Sequence, residues 1–94
     1  MRRNYNDPVY KDWRKKVYKR DGFRCQMPRC RSKFRLQAHH IKKWSTAATL
    51  RYDVDNGITL CRECHETING AESHYETTFN LIVAHTNAKI RKST

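Results

Sequence analysis

The sequence predicts a small α+β domain, in which two short strands and a helix are flanked by further helices and stapled by a metal. Three observations carry that expectation. The chain has 94 residues, 37% hydrophobic and 31% charged, which is one domain's worth of chain and short of apolar core. Apolar residues recur at helical spacing near both ends and alternate in the middle. Four cysteines come as two close pairs, Cys25 with Cys30 and Cys61 with Cys64, and thirty residues separate the pairs.

In chain order, residues 1–7 are polar and basic, with Arg2 and Arg3, and read as a flexible arm. Asp7-Pro8 has the form of an N-cap followed by proline at the first helical position. Val9, Trp13 and Val17 then recur at i, i+4 and i+8, predicting an amphipathic helix over 8–20 that stops at Asp21-Gly22. Its other face carries Lys11, Arg14, Lys15, Lys19 and Arg20, and its aromatic stripe reads as core packing. Phe34 to Ile41 alternates enough for a strand, and 42–55, which include Lys42, Lys43 and Trp44, read as a loop. Asn56-Gly57 is a tight-turn signal, and Ile58-Thr59-Leu60 makes a short strand delivering the second cysteine pair. A helix begins near Arg62 and stops near Asn69-Gly70; Phe79, Ile82, Val83 and Ile90 predict a last helix over 75–91. The motif-bearing core is then 9–70 of a single domain, 1–94.

The cysteine spacing matches a tetrahedral zinc site of four thiolates, each pair donating from a turn. Met27-Pro28 inside the first pair suits such a knuckle. With no secretory segment recognised, the expectation is a reducing, cytoplasmic compartment in which disulfides do not form. Structural zinc contributes folding free energy directly, which suits a domain with little core.

Charge narrows the partner. Twenty Lys and Arg stand against nine Asp and Glu, a net of +11. Residues 1–35 hold thirteen of those cations and three of the acids, a net of +10, so the first third is the expected contact surface for a polyanion. The longest unbroken apolar run is four residues, Leu81 to Ala84, which excludes a hydrophobic membrane span. Nucleic acid is favoured over membrane.

A four-cysteine site leaves His39, His40, Asn56 and His65 unused. Two histidines ending one strand, an Asn-Gly turn and a histidine at the start of a helix make a ββα unit that brings them toward one cleft. Consecutive strand residues point to opposite faces, however, so His39 and His40 share a site only where the strand twists or breaks. Imidazoles beside a basic surface supply what phosphodiester hydrolysis requires: ligands for a divalent cation and a base of near-neutral pKa. His74 and His85 have no partner at ligand spacing.

The runs Ala38-His39-His40-Ile41, Asp53 to Asn56 and Leu60-Cys61-Arg62-Glu63-Cys64-His65 resemble the HNH endonuclease family; Lys19 to Cys25 resembles its zinc-containing members. The resemblance implies a ββα-metal (His-Me finger) fold and metal-dependent cleavage of DNA. Carried over residue by residue, it implies that His40 is the general base and His39 the metal ligand before it. Asn56 then braces the loop that orients the base, and His65 is the second ligand. Asn69, a turn later, stands where some members have another histidine ligand; the chain departs from the pattern there, and Asn69 is the candidate for a third ligand. It also points to phages, mobile elements and restriction systems as settings.

The sulfur site is expected to hold a closed Zn²⁺, and the histidine site a single open Mg²⁺, Mn²⁺, Ni²⁺ or Zn²⁺. DNA contacts are expected mainly at phosphates, from Arg2, Arg3, Lys11, Arg14, Lys15, Lys19, Arg20, Lys42 and Lys43, with low sequence specificity. A monomer or weak homodimer cuts one strand per site. The alternative is a zinc-ribbon module that binds nucleic acid without turnover.

Overall fold

The computed structural model describes residues 6–44 and 47–93. The expected arm, with Arg2 and Arg3, lies largely outside them. Helix α1 (Pro8–Arg20) is followed by strands β1 (Leu36–His40) and β2 (Gly57–Cys61), then by helices α2 (Arg62–Ile68) and α3 (Glu72–Ser93). The strands pair antiparallel, with Leu36 opposite Cys61 and His40 opposite Gly57. This is the expected small α+β architecture, with the cysteines clustered beside the sheet.

Both ends of α1 are capped. The Asp7 carboxylate accepts from the Val9 N–H at 2.9 Å, satisfying one of the orphan amides of the first turn. At the other end Gly22 (φ 68) donates to the Lys19 carbonyl and Phe23 to the Tyr18 carbonyl. The Tyr18 and Phe23 rings meet at 6.3 Å, completing a Schellman motif with its apolar contact. The buried stripe is Tyr10, Trp13 and Val17. Val9, expected inside, is 53% exposed, because i, i+3, i+7 rather than i, i+4, i+8 faces the sheet.

Strand β1 is shorter than the predicted 34–41. Arg35 sits at φ +52, outside the extended region, so regular pairing starts only at Leu36. Asn56-Gly57 is not a hairpin turn. Residues 41–56 form the connection, with 3₁₀ turns at Ala48–Leu50 and Val54–Asn56. Glycine is needed at 57 for another reason: a Cβ there would lie 2.6 Å from both Trp13 Cζ2 and Val17 Cγ2. Helix α1 lies against β2 through that notch.

The sheet therefore has two covered faces. Tyr10, Trp13 and Val17 form one cluster with Ala38 and Val54. Cys25, Ile41, Ile58, Leu60, Cys61, Ile68, Phe79 and Val83 form the other. All five residues of β2 are buried, which is why it reads as an unbroken run rather than an alternation. Each large aliphatic buried there stabilises the fold by about 1.5–3 kcal/mol. Helix α3 is longer than the predicted 75–91, since Glu72 accepts from the Gly70 N–H and starts it earlier. Ile90, expected in the core, is 44% exposed, because the core ends at Val83.

Arg20 locks the two layers together. Its guanidinium forms a two-pronged pair with Asp21, at 2.9 Å on each arm, and donates to the Val54 and Gly57 carbonyls at 2.7 Å. Asp21 also accepts from the Thr59 N–H of β2. The two side chains are 6% and 1% exposed.

Candidate functional site

The four thiols are brought together by two turns. Cys30 donates its N–H to the Met27 carbonyl, closing a turn with Pro28 second and Arg29 third at φ +71. Cys61 ends β2 and caps α2, its sulfur accepting from the Cys64 N–H at 3.5 Å. All four sulfurs lie within 4.8 Å of one another, and Cys30 and Cys61 are 3.7 Å apart. Zinc–sulfur bonds of about 2.3 Å give a tetrahedron with sulfur–sulfur edges near ~3.8 Å, so the cluster fits such an ion. Burial pushes the Cys25 and Cys64 thiols up, with the neighbouring thiols adding at Cys64, while the Ser32 backbone pulls Cys30 down. A bound cation offsets what burial and crowding oppose, the gathering of thiolates. Among the described residues this is the only group of three or more His, Cys, Asp or Glu side chains close enough to share an ion.

The histidines divide between the two faces of β1. His39 turns toward α2 and α3, its ring meeting His65 at 5.3 Å and Phe79 at 5.7 Å, both edge-on. His40 turns toward α1 and stacks on Trp13, with ring centres 4.1 Å apart and planes 12° from parallel. The expectation of three imidazoles in one cleft is thus corrected: His39 and His65 come together, and His40 stands behind them. The strand stays regular through residue 40, so the side-chain alternation holds.

His40 is held firmly. Its Nε2 lies 2.8 Å from the Arg51 carbonyl, so Nε2 carries the proton and Nδ1 the lone pair in the neutral ring. Trp44 meets it edge-on at 5.4 Å, and Arg51 in turn lies over Trp44 and donates to its carbonyl. Asn56 ties this loop shut. Its Oδ1 accepts from the Lys42 N–H, and its Nδ2 donates to the Lys42 and Leu50 carbonyls, the latter one residue from Arg51. Asn69 is the exposed C-cap residue of α2, and no described contact links it to the histidine pair.

A groove of about 360 Å³ runs along the open edge of β1, lined by Tyr10, Arg14, Tyr18, Leu36, Gln37, Ala38 and His65. At the two ends of the pairing Ile41 donates to the Asn56 carbonyl and Arg62 donates to the Arg35 carbonyl, so Leu36, Ala38 and His40 turn their backbone groups to the open edge. Tyr18 donates to the Leu36 carbonyl there, and burial pushes its phenol up. Lys11, Lys15 and Lys19 are exposed along α1 beside the groove. Arg20 does not join them, because its charge is spent inside on Asp21 and two carbonyls. Lys42 is paired with Glu76, and Lys43 is exposed.

Residues 25–70 match the family described as HNH endonuclease. The match spans 46 of the chain's 94 residues. The HNH segment contains all four cysteines, His39, His40, Asn56 and His65. Neither the curated proteins nor the solved structures give a match. Helices α1 and α3 lie outside the HNH match, yet α1 supplies Trp13 behind His40 and Arg14 in the groove.

Sequence reasoning missed three residues around the histidines. Arg51, whose carbonyl holds His40, sits in a stretch without periodicity. Trp44 has no polar partner pattern that marks it as part of an aromatic wall. Glu72 follows Gly70 at a helix start; amide hydrogen bonds there, with Lys43 and His39 nearby, hold its carboxyl below the usual range.

Proposed function

We propose that the chain is a metal-dependent DNA endonuclease that hydrolyses phosphodiester bonds, with His40 as general base. The observation that carries it is the pairing of His39 with His65. Their ring separation of 5.3 Å is close to the roughly 5 Å expected for two imidazoles sharing one small ion. A divalent cation held by His39 and His65 would polarise the phosphate and stabilise the departing oxygen. His40 is the base in this reading through Nδ1, the nitrogen that the Arg51 carbonyl leaves as lone pair. That atom is buried on the α1 side of β1, the face opposite His39 and His65, so the strand must shift to bring water to it. Because the histidines flank an edge strand, the substrate lies over the open edge of β1, where the groove and Arg14 are. Lys11, Lys15, Lys19 and Lys43 hold the backbone through charge, and Asn56 keeps the loop, and with it His40, in place.

The second reading, a zinc-ribbon module that binds nucleic acid without cutting, is favoured by one observation: His40 is only 6% exposed between Trp13 and Trp44. Supercoiled plasmid incubated with zinc-loaded protein and Mg²⁺, Mn²⁺, Ni²⁺ or Zn²⁺ separates the two. Nicking that His39→Ala and His65→Ala remove supports the nuclease; retained plasmid binding with no nicking by any ion leaves the module.

A further inference from the structure

The cysteine knuckle carries more charge and more exposed aromatic surface than a structural lobe requires. Residues 22–35 hold Arg24, Arg29, Arg31, Lys33 and Arg35 and no acid. The last four of these are exposed. The base of the loop is closed by the Cys25 N–H on the Ser32 carbonyl at 2.8 Å. Phe23 and Phe34 each lie two residues outside that bond, one on each limb, and are 52% and 78% exposed. Phe23 leans on Tyr18, but Phe34 is the most exposed large apolar side chain described.

The backbone is held in an unusual shape to do this. Phe23, Arg29, Arg31 and Arg35 all have φ between 52 and 71, a left-handed region that L side chains enter at a cost. Four such positions around two metal-ligand cysteines make a rigid lobe that aims its cations outward. A phenyl ring left in water on a cationic loop, with Glu63 4.0 Å from Arg35 as the acid set beside it, matches one partner well. Every base has a π face for it, and every phosphate a charge for the arginines. In a duplex the bases already stack on each other, so the ring has a free face only where the strand is unpaired.

We propose that the knuckle lobe is a second nucleic-acid contact, which stacks an unpaired base of single-stranded DNA on Phe34. This deepens the endonuclease reading and rests on its DNA substrate, though not on cleavage. It favours sites where a duplex is nicked, frayed or flapped.

The test measures binding of zinc-loaded protein, without added divalent cation, to oligothymidine carrying a central 2-aminopurine and to a duplex of equal length. Phe34→Ala leaves the core untouched. It is expected to lower single-strand affinity about tenfold, with loss of the 2-aminopurine quench, and to change duplex affinity less than about twofold. Phe34→Tyr should restore both signals and Phe34→Leu should not, since only the former keeps a π face. Unchanged single-strand affinity, or equal losses on single strand and duplex, overturns the lobe while duplex binding by wild type keeps the DNA reading. Poly-glutamate is the third probe: binding as tight as the oligonucleotide's and equally sensitive to Phe34 assigns the lobe to acidic protein and overturns the proposal. Failure of the wild type to bind either DNA overturns it together with the DNA reading.

Discussion

His40 lies flat against Trp13, 4.1 Å away, with its Nε2 on the Arg51 carbonyl. A histidine placed so serves two ends at once: it packs between helix and sheet, and its tautomer is set by a backbone atom. Replacement therefore has separable consequences.

His40→Gln is expected to lower plasmid nicking by about a hundredfold or more, the scale of a lost general base, while plasmid affinity stays within about twofold. His40→Ala should lose the stack as well and cost roughly 0.5–1.5 kcal/mol beyond the buried area. Nicking rate, gel-shift affinity and urea unfolding read these in parallel. A fully active glutamine variant sinks the assignment of the base.

Cys61 joins three roles, as one of the four clustered thiols, end of β2 and cap of α2. Cys61→Ser is expected to abolish zinc retention and to unfold the chain, since structural zinc is worth on the order of 10 kcal/mol in small domains. Metal content by mass spectrometry and far-UV circular dichroism are the checks. A folded, zinc-loaded serine variant contradicts the structural role of the sulfur site.

At Gly57 the added methyl group meets Trp13 and Val17 at 2.6 Å. Gly57→Ala should cost about 1–3 kcal/mol through overpacking, seen as a lower urea midpoint with an unchanged slope. Gly22→Ala, at φ +68 but with open space around it, tests backbone conformation alone and should cost only about 1 kcal/mol.

Arg20 and Lys15 sit on the same helix and should behave oppositely. Arg20→Met leaves Asp21 buried and unpaired and is expected to cost about 3–5 kcal/mol of stability. The salt dependence of DNA binding should not change. Lys15→Ala, at an exposed site, should leave stability alone and reduce the salt slope by about 0.9. A reduced salt slope in a folded Arg20 variant would restore that residue to the DNA-facing surface.

The fold was legible wherever local chemistry decides: the Asp7-Pro8 start, the Asp21-Gly22 stop and the paired cysteines all carry their reasons within a few residues. What misled was context. Gly57 after Asn56 has the composition of a turn, but its missing Cβ answers to Trp13, about forty residues earlier. Arg20 belongs to a run of cations, and nothing local says that its charge is consumed by Asp21 and the carbonyls of Val54 and Gly57. At the site, the residue types were readable, and strand alternation stood in tension with a shared cleft for His39 and His40; the regular strand decided for alternation. The partners that hold them were not, because Arg51 contributes a backbone oxygen, which any residue has.

The notch at Gly57 sets a lower limit on how far the chain can be trimmed. A fragment cut to the HNH boundaries, 25–70, keeps every sulfur and every motif histidine but strips the tryptophan from the back of the sheet. It also takes away the arginine that clamps Val54 and Gly57. Such a fragment would gather its four thiols around a half-wrapped sheet, with the face of His40 that Trp13 covers set against water and Trp44 alone left beside it.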